Sequence, residues 1–351
     1  MTNVKRKKFH FIGSRVVKTG VAVFLTAWIC SILEIPAVFA VITAIVTIEP
    51  TVADSIRKGM IRFPASAIGS AYSVLFIFLF GNSPLTYALA ATLTIVTCFR
   101  LKLHAGLLVA TLTAVAMIEV IHSNYFISFL IRLGTTTIGL LVSTGVNMFV
   151  LPPNYTEHIT QNIESVRRQT ARLIEQVFQR VIEVNNHDDV LTSINPADQV
   201  YKKIQQTETL IRFQKEESNY HPLGENEKKR FKEIEKQLIC LRLIHYHTDN
   251  VLNTPSQFTM WGTKEKKTIL LAVNELVQGL ASKSKIESEK HQAYLKQLSD
   301  MFWEETGISR TKPNVEATTF PPEVIIIYEL ISIYQLVDKY FEHCGPERVT
   351  N

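Results

Sequence analysis

Apolar residues in the first 153 positions fall into six blocks: Val16–Leu33, Pro36–Ile48, Phe63–Phe80, Pro84–Phe99, Leu103–Ile121 and Phe126–Leu151. A helix rises 1.5 Å per residue, so about 20 apolar residues cross the ~30 Å hydrocarbon layer of a bilayer. The second and fourth blocks are short for that task; they either extend into their flanks or re-enter the membrane. Six spans are expected, with four as the alternative. Tight turns at Glu34-Ile35, Gly81-Asn82-Ser83 and His122-Ser123-Asn124-Tyr125 pair the blocks into three hairpins. Pro36 and Pro84 stand at helix starts, where a missing N–H costs nothing.

The pattern changes after Leu151-Pro152-Pro153. Ile159, Ile163, Val166, Leu173, Val177, Val181 and Val184 recur at helical spacing and predict a long amphipathic helix. Asn195-Pro196 opens a second helix through about Ser218. A third carries Phe231, Ile234, Leu238, Leu241, His245, Thr248 and Leu252. Further helices fit Lys264–Ala281, Ser284–Glu305 and Pro321–His343, with a loop over Gly307–Thr319. Period-two alternation is nearly absent. The expected fold is therefore all-α: a six-helix transmembrane domain of three hairpins followed by a cytosolic helical bundle. The expected boundaries are a basic cytoplasmic tail at 1–15, the transmembrane domain at 16–153 and the cytosolic α-helical domain at 154–351.

Charge sharpens the division. Residues 1–153 hold 12 Lys/Arg and four Asp/Glu, whereas the remaining 198 residues hold 25 and 28. Lys5, Arg6, Lys7, Lys8 and Arg15 precede the first block. Arg57, Lys58 and Arg62 follow the second, and Arg100 and Lys102 follow the fourth. The three tight turns carry no Lys or Arg. Basic residues on every second connection place those connections, and both chain ends, in the cytoplasm of a multi-pass protein of the cell membrane. A cleavable signal over the first block is the rival reading, but cleavage would strip the second block of its hairpin mate. The excess of positive charge surrounds apolar segments, so no nucleic-acid partner is expected.

Polar residues within the blocks are costly and therefore informative. Glu119 and Arg132 flank the third turn, and an ion pair across that hairpin is expected, serving either packing or a substrate route. Arg132, Thr136, Ser143 and Asn147 fall along one side of the sixth block, with Gly139 among them. That stripe either lines a polar passage or, through Thr135, Gly139 and Ser143, lets helices approach closely. Lys18 is expected to snorkel to the headgroups. Arg57, Lys58 and Arg62 mark topology, contact anionic lipid and gather anions at the cytoplasmic mouth.

Catalytic chemistry has little footing. No nucleophile has a matching base, no phosphate loop occurs, and Cys30, Cys98, Cys240 and Cys344 form no CxxC pair. His245 occupies an apolar slot of its helix and reads as a core histidine rather than a metal ligand with His247 or His221. No cofactor, metal or catalytic residue is expected.

Several stretches resemble a known family. They are Gly13-Ser14-Arg15-Val16-Val17-Lys18-Thr19-Gly20, Pro36-Ala37-Val38-Phe39-Ala40, Thr47-Ile48-Glu49-Pro50-Thr51, Ser55-Ile56-Arg57-Lys58-Gly59, and Asn147-Met148-Phe149-Val150-Leu151-Pro152-Pro153-Asn154. Together they resemble the bacterial aromatic acid exporter family, in particular its small multipass members with a helical C-terminal domain. The resemblance implies outward transport of small organic anions, aromatic ones included, by a carrier or channel. Arg132, Glu119, Thr136, Ser143 and Asn147 are then candidate pathway residues. A membrane-anchored scaffold whose bundle binds a protein partner is the alternative. Besides the lipid bilayer, the expected partners are further copies of the chain, because three hairpins are few to enclose a route.

Overall fold

The structure, a computed structural model, describes residues 13–120, 124–183, 196–255, 261–282, 288–311 and 320–344. Among them the only regular structure is helical, and the fold is all-α. Two compact units divide the chain: residues 1–154 with 215–222, and residues 155–214 with 223–351.

The first unit holds α1 (Ser14–Ile32), α2 (Val38–Thr47), α3 (Val52–Phe80), α4 (Pro84–Arg100), α5 (Leu107–Val120) and α6 (Tyr125–Phe149). Each matches one of the expected apolar blocks. By length and composition α1, α3 and α6 suffice to cross a membrane; α2, α4 and His104–Val120 are apolar but shorter. Local chemistry sets the ends. Glu34 takes a positive φ of 54° after α1. Gly81, at φ 63°, stops α3 where a side chain would be strained. Ser83 caps α4 by accepting from Thr86 N at 3.4 Å, with Pro84 in the first turn.

Two expectations need correction. Arg57, Lys58 and Arg62 do not lie on a connection but within α3, whose helix starts at Val52. The Thr51 hydroxyl caps that start by accepting from Asp54 N at 3.1 Å. The third hairpin also opens out: α5 packs against α3 and α4, whereas α6 packs against α2, α3 and α1. Ile121, the His122-Ser123 part of its turn and the basic run Lys5–Lys8 lie outside the described residues.

Small residues let these helices approach closely. A Cβ on Gly69 would lie 2.3 Å from Ala110 O, and one on Gly106 would lie 2.5 Å from the Ala65 Cβ. A Cβ on Gly139 would lie 2.4 Å from Ala40 O. Gly139 and the Ala65/Gly69 row therefore serve packing.

The second unit holds α7 (Thr156–Glu183), α9 (Glu225–Asn253), α10 (Thr263–Ser282), α11 (Ser288–Thr311), α12 (Pro322–Glu342) and most of α8 (Pro196–Glu217). Here α9 packs against α7 and α12, α10 against α7, and α11 against α12. Ile174, Phe178, Leu241, Ile244, Leu276 and Tyr334 lie in one core. α11 runs past Glu305 into the expected loop as far as Thr311; residues 312–319 lie outside the described residues. His245 is buried and stacks on Tyr201 at 6.0 Å. His247 instead pairs through Nδ1 with Glu329 on α12, whose other oxygen accepts from Asn250 at 2.9 Å. The two imidazoles serve different neighbours.

Candidate functional site

Two polar clusters interrupt the apolar first unit. The deeper one surrounds Arg132, in the second turn of α6 and 3% exposed. Its guanidinium lies over the Phe39 ring of α2, 4.3 Å from the centroid, and Nη2 donates to the Thr113 hydroxyl of α5. Ser66 on α3 brings its hydroxyl within 3.2 Å of Thr136 Oγ1 and 3.5 Å of Thr113 Oγ1. Nε and Nη1 of Arg132 are buried without a hydrogen-bond partner. Among the described residues no carboxylate forms an ion pair with it.

The expected Glu119–Arg132 pair is not formed. Glu119 is exposed and accepts from the Tyr87 hydroxyl of α4. The reason is helical geometry. Thr113 and Glu119 are six residues apart, about 240° around α5 and ~9 Å along it. Arg132 approaches the Thr113 face while Glu119 faces α4. A buried guanidinium with a cation–π contact and one hydroxyl acceptor is an unbalanced charge in apolar surroundings. Such a group is suited to hold an anion.

The second cluster lies where α2 breaks before α3. Asn147 of α6 spends its amide on three acceptors: Glu49 O at 3.1 Å, Thr51 O at 3.2 Å and Ser55 Oγ at 2.9 Å. Its oxygen accepts from Lys18 Nζ at 2.9 Å. Lys18 is only 4% exposed, so it does not snorkel; it is held by α6. Arg15 donates to Ile48 O at 3.2 Å. The segment 215–222, part of this unit, adds two carboxylates at the N-terminus of α3. Glu217 accepts from Val52 N at 3.2 Å, and Glu216 accepts from the Thr51 hydroxyl at 3.1 Å. Acids at a helix N-terminus meet the positive end of its dipole.

Glu49 is the hinge of the basic residues. It accepts from Lys58 Nζ at 2.8 Å and from Arg62 Nη2 at 2.7 Å. Burial alone would raise its pKa, but the hydrogen bonds and charges of Lys58 and Arg62 outweigh burial and hold the carboxyl below its ordinary range. Arg57 pairs with Asp54 at 3.1 Å and is the one mainly exposed cation of the three.

The structure therefore sorts the sequence candidates. Arg132 and Thr136 share one cluster. Asn147 belongs to the other, with every amide hydrogen directed at an acceptor. Ser143 donates to Leu140 O in its own helix at 3.2 Å and packs, and Glu119 stands apart with Tyr87. Sequence reasoning missed Phe39, Thr113 and Ser66. For Ser66 a signal existed: Ser55, Arg62, Ser66, Ser70 and Ser73 recur on one face of α3, and all are buried.

Residues 10–150 match the profile of aromatic acid exporter family member 1. Over 334 residues the chain is 50% identical to a UPF0421 protein of Oceanobacillus iheyensis, spanning 94% of this chain and 95% of that one. It is 41% identical over 338 residues to a UPF0421 protein of Bacillus cereus, spanning 95% and 94% of the two chains. A UPF0421 protein of Staphylococcus saprophyticus is 36% identical over 334 residues, spanning 94% and 97%. This profile and the apolar helices mark a membrane protein of transporter-like kind. The chain belongs to the UPF0421 family, and its membrane half carries the signature of the aromatic acid exporter family.

Proposed function

We propose that this protein exports small organic anions, aromatic carboxylates among them, across the bacterial cell membrane, and that Arg132 binds the anion within the membrane. One observation carries the reading: a guanidinium 3% exposed, with Nε and Nη1 unpartnered and no carboxylate paired to it among the described residues. On insertion scales a lone Arg at the centre of a span costs roughly 2.5–3.5 kcal/mol. A passing carboxylate offsets that cost by accepting from the free N–H groups, while Thr113 and Phe39 hold the guanidinium in place. Thr136 and Ser66 supply hydroxyls that exchange hydrogen bonds with the second carboxylate oxygen. Both chain ends lie in the cytoplasm on this reading, and the anion moves outward from the face bearing Glu49, Lys58 and Arg62. The family profile supports the substrate class; no chemical step is assigned.

The test is flux of labelled benzoate at pH 8 in proteoliposomes, with protein-free vesicles subtracted. Arg132→Met leaves no buried charge, so it is expected to fold and to lose flux at least tenfold. Arg132→Lys keeps the charge but not the planar fork and is expected to retain part of the flux. Wild-type flux through Arg132→Met would remove Arg132 from the route. Absence of benzoate flux from the wild type itself would favour a membrane-anchored scaffold.

A further inference from the structure

The Glu49–Lys58–Arg62 cluster has the form of a carboxylate site with a carboxylate already in it. One oxygen of Glu49 accepts from Arg62 and the other from Lys58, at 2.7 and 2.8 Å. Both cations are on α3, one turn apart, whereas Glu49 is on the connection before it. The backbone there is pinned by Asn147 through Glu49 O and Thr51 O, and by Arg15 through Ile48 O. The main chain at Glu49 is thus held independently of the two ion pairs that its side chain makes. Lys58 has a second carboxylate to return to, Asp54 at 3.7 Å. Arg62 has none among the described residues: Nε donates to Ala105 O at 3.3 Å, and Nη1 is buried without a partner in a residue 7% exposed.

Position connects this cluster to the deeper one. Ser66 follows Arg62 by one turn, about 6 Å along the same face of α3. Its hydroxyl lies beside Thr136 and Thr113, and Thr113 accepts from Arg132. Two buried guanidiniums, each with an unpartnered Nη1, are therefore joined by a short run of hydroxyls.

We propose that Arg62 and Lys58 form a second anion site, on the cytoplasmic side of Arg132, which Glu49 occupies as a built-in competitor. An organic carboxylate displaces the Glu49 side chain from both Arg62 and Lys58. The anion then moves along Ser66 to Arg132, and Glu49 closes behind it. In the closed state Glu49 offsets one of the two cations, the cluster keeps a net charge of +1 that repels small cations, and it gives way to an anion able to replace both oxygens of Glu49. Because Glu49 remains ionised at neutral pH, displacement rather than protonation opens the site. The inference rests on the anion-export reading above.

Equilibrium binding of labelled benzoate to the purified full chain tests it in variants that separate the two sites. Arg132→Met alone is expected to leave only weak binding, because Glu49 still competes for Arg62. Adding Glu49→Gln removes the competing charge and is expected to tighten that remaining binding about tenfold. Adding Arg62→Met to Arg132→Met is expected to abolish it. Binding in Arg132→Met/Glu49→Gln no tighter than in Arg132→Met would overturn the second site while leaving Arg132 in the route. Equal binding by wild type and Arg132→Met would instead sink the export reading at Arg132. Should Glu49→Gln give no folded protein, Glu49→Asp carries the same test. Its shorter side chain cannot reach both cations at once, and it should tighten binding in the same direction by a smaller factor.

Discussion

Single residues in this protein are decided by what their polar atoms meet. Arg132 and Glu119 were both conspicuous as charges inside apolar blocks, but only a structure could tell which face of α5 each one sees. A guanidinium reaches several ångströms, so hairpin proximity alone left Thr113 and Glu119 equally open to it. Glu305 in α11 shows the same rule with a different outcome. It is 7% exposed; one oxygen accepts from Trp261 Nε1 and the other is buried without a partner. Burial pushes its pKa up to about 7, Trp261 acts against the rise, and Glu323, Glu265 and Glu304 add to it. The folded pKa lies above the unfolded value, so the folded chain holds this proton longer than the unfolded one. The penalty is absent below the unfolded pKa, grows as pH rises, and is complete above about pH 7. Glu305→Gln keeps an acceptor for Trp261 and removes the charge. It should stabilise the protein by about 1–3 kcal/mol at pH 8 and by only a fraction of that at pH 5. Tryptophan-monitored melting of the full chain across that range checks this, and a shift independent of pH would refute the assignment.

At the scale of elements, the six apolar blocks and the later helices were legible because length and periodicity are local properties. The ends of α1, α4 and α6 fall within two residues of the expected ones for the same reason. What escaped was the start of α3. Lys and Arg between apolar blocks look like a loop, yet Thr51-Val52-Ala53-Asp54 is a helix-start signature, and Thr51 caps Asp54 N as that signature requires. With residues 57–62 read as a loop, Lys58 and Arg62 had no common face, so their joint grip on Glu49 stayed hidden. Helix contacts were half legible. The Thr135-Gly139-Ser143 row suggested either packing or a passage, and α2 lies so close at Gly139 that an added Cβ would meet Ala40 O at 2.4 Å, which is packing. Gly139→Ala should therefore force α2 and α6 apart and cost about 1–3 kcal/mol. Gly134→Ala, on the same helix with nothing within 4 Å, should be neutral or slightly stabilising. Melting of the two variants in one detergent gives the comparison; equal melting temperatures would show that the α2–α6 contact yields without cost.

For the whole molecule the question is which side of the membrane each cluster faces. Basic residues recur at alternate ends of the apolar blocks: Arg15 before the first, Arg57, Lys58 and Arg62 between the second and third, and Arg100 and Lys102 between the fourth and fifth, whereas the turn at Gly81-Asn82-Ser83 has none. In the structure Lys58 and Arg62 are held by Glu49 at the start of α3, and Arg57, paired with Asp54 at 3.1 Å, keeps its side chain 72% exposed. The two ends of α3 are the natural reporters. It runs 29 residues, about 43 Å, enough to cross the hydrocarbon layer with its first two turns in the headgroup region. Ser55, the simplest position for a cysteine at the inner end, is fully buried and hydrogen-bonded to Asn147, so a thiol there would be silent for the wrong reason. Arg57→Cys and Asn82→Cys are both exposed and lie near opposite ends of the same helix. In intact cells an impermeant maleimide should label Asn82→Cys and leave Arg57→Cys untouched until the membrane is opened. The native cysteines do not interfere, since Cys30, Cys98 and Cys240 are buried and Cys344 is expected on the inner side. Labelling of Arg57→Cys in sealed cells would reverse the orientation. It would also turn the Glu49 site outward, and the route would then read as uptake rather than export.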